Sequence, residues 1–274
     1  MLACVVNVSE GRDGDTLAAL DAAAASSLLD RHSDLYHHRS VLTLAGTDVE
    51  EAARAVACVA VARIDVRDHV GVHPRIGALD VVPFVPLTGS TIDDARGARD
   101  AFATWAGDEL ALPCFLYGPE RPLPEVRREA FDALAPDRGP TAPHPTAGAC
   151  AVGARPALVA YNVWLDADAT VDDARRVARA MRAPHVGVRA IGLDVGGRAQ
   201  VSMTLTDPDR YGPADAFEAV ARLATVAGAE LVGLVPEAVL AAIPPDRWAE
   251  LDLARSRTIE ARLQQAGLDG GRSH

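Results

Sequence analysis

The chain contains no lysine; all 27 of its basic residues are arginine. That removes a Schiff-base lysine, a phosphate-loop lysine and a lysine general base together. Aromatic residues make up 4% of the chain and apolar residues 49%, so a large core is available but must be built from small aliphatic side chains. The formal net charge of −11 argues against broad binding to nucleic acid or to an anionic membrane. An anionic ligand would need local arginines inside an acidic envelope. The four cysteines, Cys4, Cys58, Cys114 and Cys150, are widely separated and form no CxxC pair, as expected of free thiols in a reducing cytoplasm. No apolar stretch has the length and purity of a transmembrane helix.

The order of patterned segments is more informative. Leu2 to Val8 reads as a strand, Asp15 to Ser26 as a helix, and Ser27 to His32 and Arg39 to Ala45 as two strands. Thr47 and Glu50 form a T-x-x-E capping box opening a helix to Arg63, with Val49, Ala52, Ala53, Val56 and Val59 on one face. Leu79 to Leu87 is a strand-like run. Helices are expected over Thr91 to Leu110 and Pro124 to Leu134, with a short strand at Cys114 to Tyr117 between them.

Ala135 to Gly148 is too rich in proline and glycine for helix or central strand. It is also long for a connection inside a domain. Beyond it the order repeats: strand at Ala157 to Leu165, helix from Thr170 to Arg182, and strands at Gly187 to Leu193 and Gln200 to Leu205 around a Gly-Gly hairpin. A helix at Pro213 to Ala227 and a strand at Glu230 to Leu234 follow. Each half therefore reads β-α-β-β-α-β. The fold class is α+β, two tandem ferredoxin-like units that leave a ligand cleft between them. Asp246 to Ala266 reads as a terminal helix, and 267–274 as a flexible tail.

Two histidine-rich segments stand out. In "DHVGVHPRIGALDVVPFVP", Asp68 to Pro86, His69 and His73 have the i, i+4 spacing of a helical metal pair, but Gly71 and Pro74 break any helix there, so no metal is expected. A loop histidine before a strand suits proton transfer. Arg75 could hold a carboxylate in a bidentate fork, and Gly71 and Gly77 could let backbone approach a ligand. From these residues alone, a reactive site and a hydrogen-bonded turn remain equally open. "DRHSDLYHHRS", Asp30 to Ser40, reads as a polar hairpin loop. "NVSEGRDGD", Asn7 to Asp15, reads as a capped helix start.

Taken in order, "CVVNVSEGRD", "LLDRHSD…HHRSVLTLAG", "HVGVHPRIGALDVVPFVP", "PDRGPTAPHPTAGACAVGARPALVAYNV", "GVRAIGL", "AQVSM" and "ELVGLVPEAVL" resemble the glutamate formiminotransferases, in their stand-alone bacterial form. The resemblance runs from Met1 to about Leu240. It implies an N-terminal subdomain over 1–155 and a C-terminal subdomain over 156–266, with a folate tunnel between them. The implied reaction moves a formimino group from N-formimino-L-glutamate to N5 of tetrahydrofolate, in histidine breakdown. Tetrahydrofolate is a cosubstrate, and no metal or redox cofactor is implied. The expected protein is a cytoplasmic homodimer with small-molecule substrates and no nucleic-acid or membrane partner. The cyclodeaminase fused to some relatives has no expected counterpart.

The resemblance also assigns residues. His73 becomes the general base, and His69 a supporting residue. Gly139, Pro140, Thr141, Ala142, Pro143, His144, Pro145, Thr146, Ala147 and Gly148 become the folate-contacting loop. Asn7, Ser9, Glu10, His32, Arg39 and Arg75 are the further folate- or substrate-binding candidates, with Arg39 and Arg75 as carboxylate clamps. Ala3, Val6, Val8, His38, Trp164 and Thr204 depart from the usual family pattern, where the last three are commonly Asn. These changes leave two alternatives beside the main reading: a related folate-dependent transferase with another donor such as N-formylglutamate, or a folate-binding protein without turnover.

Overall fold

A computed structural model describes residues 1–182 and 187–268. The expected tail at 267–274 thus lies mostly outside the described residues. The chain divides into two compact units, Met1–Pro156 and the part from Ala157 onward. No described helix is long and apolar enough to cross a membrane.

In the first unit, β1 (Leu2–Val8), α1 (Gly14–Ala24), β2 (Leu28–Asp34), β3 (Arg39–Gly46), α2 (Val49–Arg63) and β4 (Leu79–Pro86) follow in that order. Then come α3 (Ile92–Glu109), β5 (Cys114–Tyr117), α4 (Leu123–Glu129) and β6 (Cys150–Ala154). The sheet order is β2-β3-β1-β4-β6-β5. Its first four strands are antiparallel neighbours in the ferredoxin-like arrangement,. β6 and β5 extend it in parallel beyond β4.

Alternation along the strands gives the sheet two apolar faces. Cys4, Val6, Leu42, Leu44, Val82, Phe84, Cys150 and Val152 pack under α1, α2 and α3. Val81, Phe115, Tyr117 and Ala151 face the other way, onto Val126 of α4. α4 thus lies on the side of the sheet that the other three helices leave uncovered.

The second unit holds β7 (Val159–Leu165), α5 (Val171–Met181), β8 (Val188–Val195), β9 (Arg198–Leu205), α6 (Pro213–Ala221), β10 (Val226–Val232), α7 (Glu237–Ala241) and α8 (Ile259–Gln265). Its sheet order, β10-β7-β9-β8, is again ferredoxin-like. Thr170 and Asp173 close the capping box that starts α5, and Gly196 and Gly197, both at positive φ, make the β8–β9 hairpin turn. The protein is therefore α+β with two tandem ferredoxin-like units, as the element order implies.

Four local expectations are corrected. The Thr47–Glu50 box does not form: Asp48 is the N-cap of α2, without a side-chain bond, and Glu50 instead takes Arg54 one turn on, at 2.6 Å. β6 carries no strand signal in the sequence, because a strand buried on both faces shows no alternation and this one is a run of small residues. α4 ends at Glu129, where the chain turns back through Phe131 (φ 65°) and sets that ring edge-on to Phe115, 5.0 Å away.

The continuous helix expected over Asp246 to Ala266 is broken. Leu251 and Leu253 turn into the core, Asp252 sits at φ 53°, and Arg257 ties the Asp252 carboxylate to the Leu231 carbonyl. Only Ile259–Gln265, capped by Thr258, is α-helical there.

Candidate functional site

Pairing between β1 and β4 slips at one residue: Asn7 faces Val81 and Val8 faces Leu79, so Asp80 is an extra residue in β4. A bulge of this kind re-aims a side chain. Here it presents a carboxylate with no exposed surface. Asp80 Oδ1 accepts the Ile76 N–H at 2.8 Å. Its Oδ2 accepts from Arg39 Nη1 and, at 2.7 Å, from Arg127 Nη2. Arg39 is held from its other side by the Asn7 Oδ1, at 2.8 Å.

Two guanidinium groups thus share one carboxylate, leaving a surplus positive charge. The two arginines hold the Asp80 carboxyl well below the usual carboxylate range against the opposing effect of its burial,.

His73 stands beside this cluster. Its Nδ1 lies 2.8 Å from the Pro74 carbonyl. A carbonyl only accepts, so Nδ1 carries the proton and Nε2 is left with its lone pair. Burial, then Arg39 and Arg127, push the imidazole well below its ordinary pKa, with Asp80 opposing them. His73 is therefore neutral at physiological pH and able to take a proton at Nε2.

Arg75 braces the loop that carries His73. Its Nη2 donates to the carbonyls of His37 (3.1 Å) and His73 (2.8 Å), and its Nη1 to the carbonyl of His38 (3.3 Å) and to His69 Nδ1 (2.6 Å). Four donors are thus engaged within the protein, and the fork expected to hold a substrate carboxylate is occupied by three backbone carbonyls and the His69 ring. His69 Nε2 in turn donates to the Ser9 carbonyl at 2.9 Å. Burial, then the neighbouring Arg75 charge, push His69 down to about 4. Its ring stacks on His38, 3.9 Å away.

The other segments fix the frame. The buried Ser9 hydroxyl donates to the Gly77 carbonyl, and Ser9 N–H to that of Ala78, so Ser9 ties the end of β1 to the His73 segment. Glu10 Oε1 accepts the N–H groups of Gly11, Arg12 and Asp13 and faces His38 Nε2 at 3.0 Å.

The 139–148 loop divides in two. Gly139 to Pro143 is exposed. From His144 onward the chain docks: Ala147 O accepts from Ala78 N, Thr146 O from Val66 N, and Gly148 bridges Gly77. The glycines read as openings for a ligand are filled by protein. A Cβ on Gly77 would lie 2.0 Å from the Ala149 carbonyl oxygen, and one on Gly71 2.4 Å from that of His37,.

The structure thus brings together Asn7, Arg39, His73 and Arg75, with Ser9, Glu10 and 144–148 as their frame. It does not bring in His32, which shares a row with Asn7 through Val41 and so stands two strands away, about 10 Å. His32 nonetheless has a partner of its own. Arg127 joins the site although the sequence carries no signal for it. Nothing in "EVRREAF" singles it out; only the placement of α4 on the second face of the sheet carries it to Asp80.

In the second unit, Trp164 lies under the Arg198 guanidinium, 4.4 Å from the ring centre, while Asn162 and Gln200 donate to Glu230. A surface cavity of about 260 Å³ in that unit, lined by Ala180, Met181, Tyr211, Ala219, Arg222 and Leu223, touches none of the residues above. No cluster of three or more potential metal ligands occurs among the described residues.

Residues 1–155 match the family described as formiminotransferase domain, N-terminal subdomain. A glutamate formimidoyltransferase of Streptococcus pyogenes serotype M1 is 38% identical over 268 residues, covering 86% of this chain and 89% of that protein. One from Thermoplasma acidophilum is 35% identical, covering 88% of this chain and 89% of its own. A formimidoyltransferase-cyclodeaminase of Sus scrofa is 37% identical over 86% of this chain, which spans half of that protein's length.

Proposed function

The chain belongs to the formiminotransferase family, and from that premise we propose that it transfers the formimino group of N-formimino-L-glutamate to N5 of tetrahydrofolate, with His73 as general base. The observation that carries this reading is the arrangement of His73: Nδ1–H committed to Pro74 and Nε2 left as an acceptor, beside two arginines that share one carboxylate.

The chemistry follows from the roles. Attack of the N5 nitrogen on the amidine carbon forms a C–N bond and makes that nitrogen a strong acid. His73 Nε2 takes its proton. The tetrahedral intermediate then breaks its bond to the glutamate nitrogen, which takes the proton back from the same imidazole as it leaves. A base of low pKa suits this sequence, because it accepts from an acidified nitrogen and donates readily to the departing one. Such a base contributes about 10²–10⁴-fold; the rest comes from holding two reactants together.

Both substrates carry carboxylates, which the surplus charge of Arg39 and Arg127 favours. The loop at 139–148 is the folate-contacting segment of this reading. The segments 1–155 and 156–266 are the two subdomains, and the protein acts as a cytoplasmic homodimer.

The test is turnover of tetrahydrofolate with N-formimino-L-glutamate, followed through the folate product and the glutamate released, with N-formylglutamate as a parallel donor. The expected result is transfer from the formimino donor, with kcat falling about 10³-fold in His73→Ala while folate still binds. Transfer from N-formylglutamate alone, or a His73→Ala protein as active as the parent, would overturn the proposal.

A further inference from the structure

One carbonyl oxygen is shared by two donors from different elements. The Pro74 oxygen accepts from His73 Nδ1 at 2.8 Å and from Arg127 Nη1 at 3.0 Å. A carbonyl has two lone pairs, so this one is saturated. The same guanidinium continues to the wholly buried Asp80, with Nη1 3.3 Å from Oδ1 and Nη2 2.7 Å from Oδ2. Asp80 is itself pinned by the Ile76 N–H. The chain of contacts runs from the bulge in β4, through a residue of α4, to the imidazole.

From this geometry we infer that Arg127 is a positioning residue for His73: it clamps the Pro74 carbonyl and thereby selects the imidazole tautomer whose Nε2 accepts a proton. The inference rests on the reading of His73 as the base. Pro74 is exposed, and its carbonyl faces no other donor among the described residues. Once Arg127 is removed, that peptide can turn toward water, and Nδ1 loses its fixed acceptor. In free neutral histidine the Nε2–H form is the commoner one, so an unheld ring drifts to the tautomer that cannot serve as base at Nε2.

The arrangement has the logic of a nucleophile–base–orienter set, with an arginine-held carbonyl where a carboxylate would stand. The substitution matters. A carboxylate would both orient the ring and stabilise its protonated form. A neutral carbonyl, gripped by a cation, orients the ring while stabilising the imidazolium less than a carboxylate would. Arg127 therefore acts on the ring in two ways: it holds the carbonyl that fixes the tautomer, and its charge, with burial and Arg39, disfavours the protonated form.

The experiment uses the full chain labelled with ¹⁵N-histidine, with the His73 signals identified by their loss in His73→Gln. The expected parent spectrum shows a protonated Nδ1 and a pyridine-like Nε2 at His73. Arg127→Met is expected to move that ring toward the Nε2–H form and to lower kcat about 10²-fold. KM rises as well, because the cluster loses the surplus charge that favours the substrate carboxylates, so the tautomer is the readout that isolates the positioning role. Arg127→Lys keeps one donor for the Pro74 oxygen and is expected to restore most of both tautomer and kcat.

A parent His73 in the Nε2–H form, or an Arg127→Met protein with the parent tautomer, overturns the inference. Should Arg127→Met fail to fold, the parent and Arg127→Lys spectra decide it: an Nε2–H ring in either one overturns it. Absence of formimino transfer by the parent would sink the functional reading, while the same spectra would still decide whether Arg127 sets the tautomer.

Discussion

Asp80 and Arg39 meet at the bulge where β4 leaves its register with β1, and the carboxylate of the first is the counter-ion of the second. Asp80 has no exposed surface and the Arg39 side chain is only 11% exposed, so water does little to compensate either. Arg127 draws on the same carboxylate. Asp80→Asn keeps the shape of the side chain and removes the charge, leaving two neighbouring cations without their shared anion. The expected loss is about 3–5 kcal/mol, the range for breaking a buried pair from one side, read from urea unfolding. A loss below about 1 kcal/mol would show that the cluster is far better solvated than its burial implies.

Activity should depend on pH in a way that separates free from substrate-bound protein. His73 must be neutral to act, so the rate falls as pH drops through its pKa. In the ligand-free structure that pKa lies well below the ordinary histidine value, through burial and then the charges of Arg39 and Arg127. Substrate carboxylates bring negative charge beside those arginines and raise it. The acid limb of kcat, which reports the bound protein, is therefore expected at higher pH than the acid limb of kcat/KM. The reverse order would rule out substrate anions as partners of the arginine cluster.

The sequence revealed the ferredoxin-like order of both units because each strand and helix there carries its own periodicity. It also pointed to His73, through a motif rather than through physics: spacing alone left a reactive loop and a plain turn equally open. What it could not reveal depends on tertiary placement. Arg127 is one of five arginines between Arg121 and Arg155, and only the packing of Val126 against Phe115 and Ala151 aims its helix at Asp80. Asp80 itself reads as a polar interruption in an apolar strand until the bulge explains it. Arg75 looked like a free fork, and its partners turned out to be carbonyls from three histidines, which no pattern along the chain encodes.

Stability should fall on mild acidification before any carboxylate is involved. His69 is held at about 4, by burial and then Arg75, against an ordinary value near 6.5. Between those values the unfolded chain binds the proton and the folded chain does not, so stability falls as pH is lowered from about 6.5 to 4. His73 contributes with the same sign. The Asp80 contribution runs at lower pH, present above the ordinary carboxylate pKa and lost as pH falls toward its depressed folded value. Urea midpoints from pH 8 to 4 should show the decline, and His69→Gln should make it shallower. An unchanged slope in that variant would mean that His69 is protonated with little cost in the folded protein.

Gly77 should not tolerate a methyl group. The added Cβ would meet the carbonyl oxygens of Ala149 at 2.0 Å and Ala147 at 2.5 Å, and both are backbone atoms that cannot swing aside. Those atoms belong to the strip that docks 144–149 onto Ile76 and Ala78, so the clash separates the folate-loop candidate from the His73 segment. Gly77→Ala is expected to cost about 3 kcal/mol, the upper end for overpacking, and to weaken tetrahydrofolate binding. Gly14→Ala, whose added methyl meets nothing within 4 Å, is the control and should change stability by less than about 1 kcal/mol. Equal behaviour of the two variants would mean that the docked strip yields easily.

His38 poses a contest between strain and contact. Its φ of 47° lies in the left-handed region, where Asn is at home and most other residues lose about 1–2 kcal/mol. The histidine compensates by two contacts that Asn is too short to make: Nε2 to the half-buried Glu10 at 3.0 Å and a ring stacked 3.9 Å from His69. A hydrogen bond to a charged group contributes about 1.5–3 kcal/mol, and the stacked contact adds to it. Contact therefore outweighs strain, and His38→Asn is expected to destabilise by about 1 kcal/mol. It should also loosen the Glu10 turn, visible as faster amide exchange at Gly11 to Asp13. A gain in stability would reverse the reading: the histidine would then be a strained departure at this turn, and the His38–His69 stack would contribute little to holding the loop of His73.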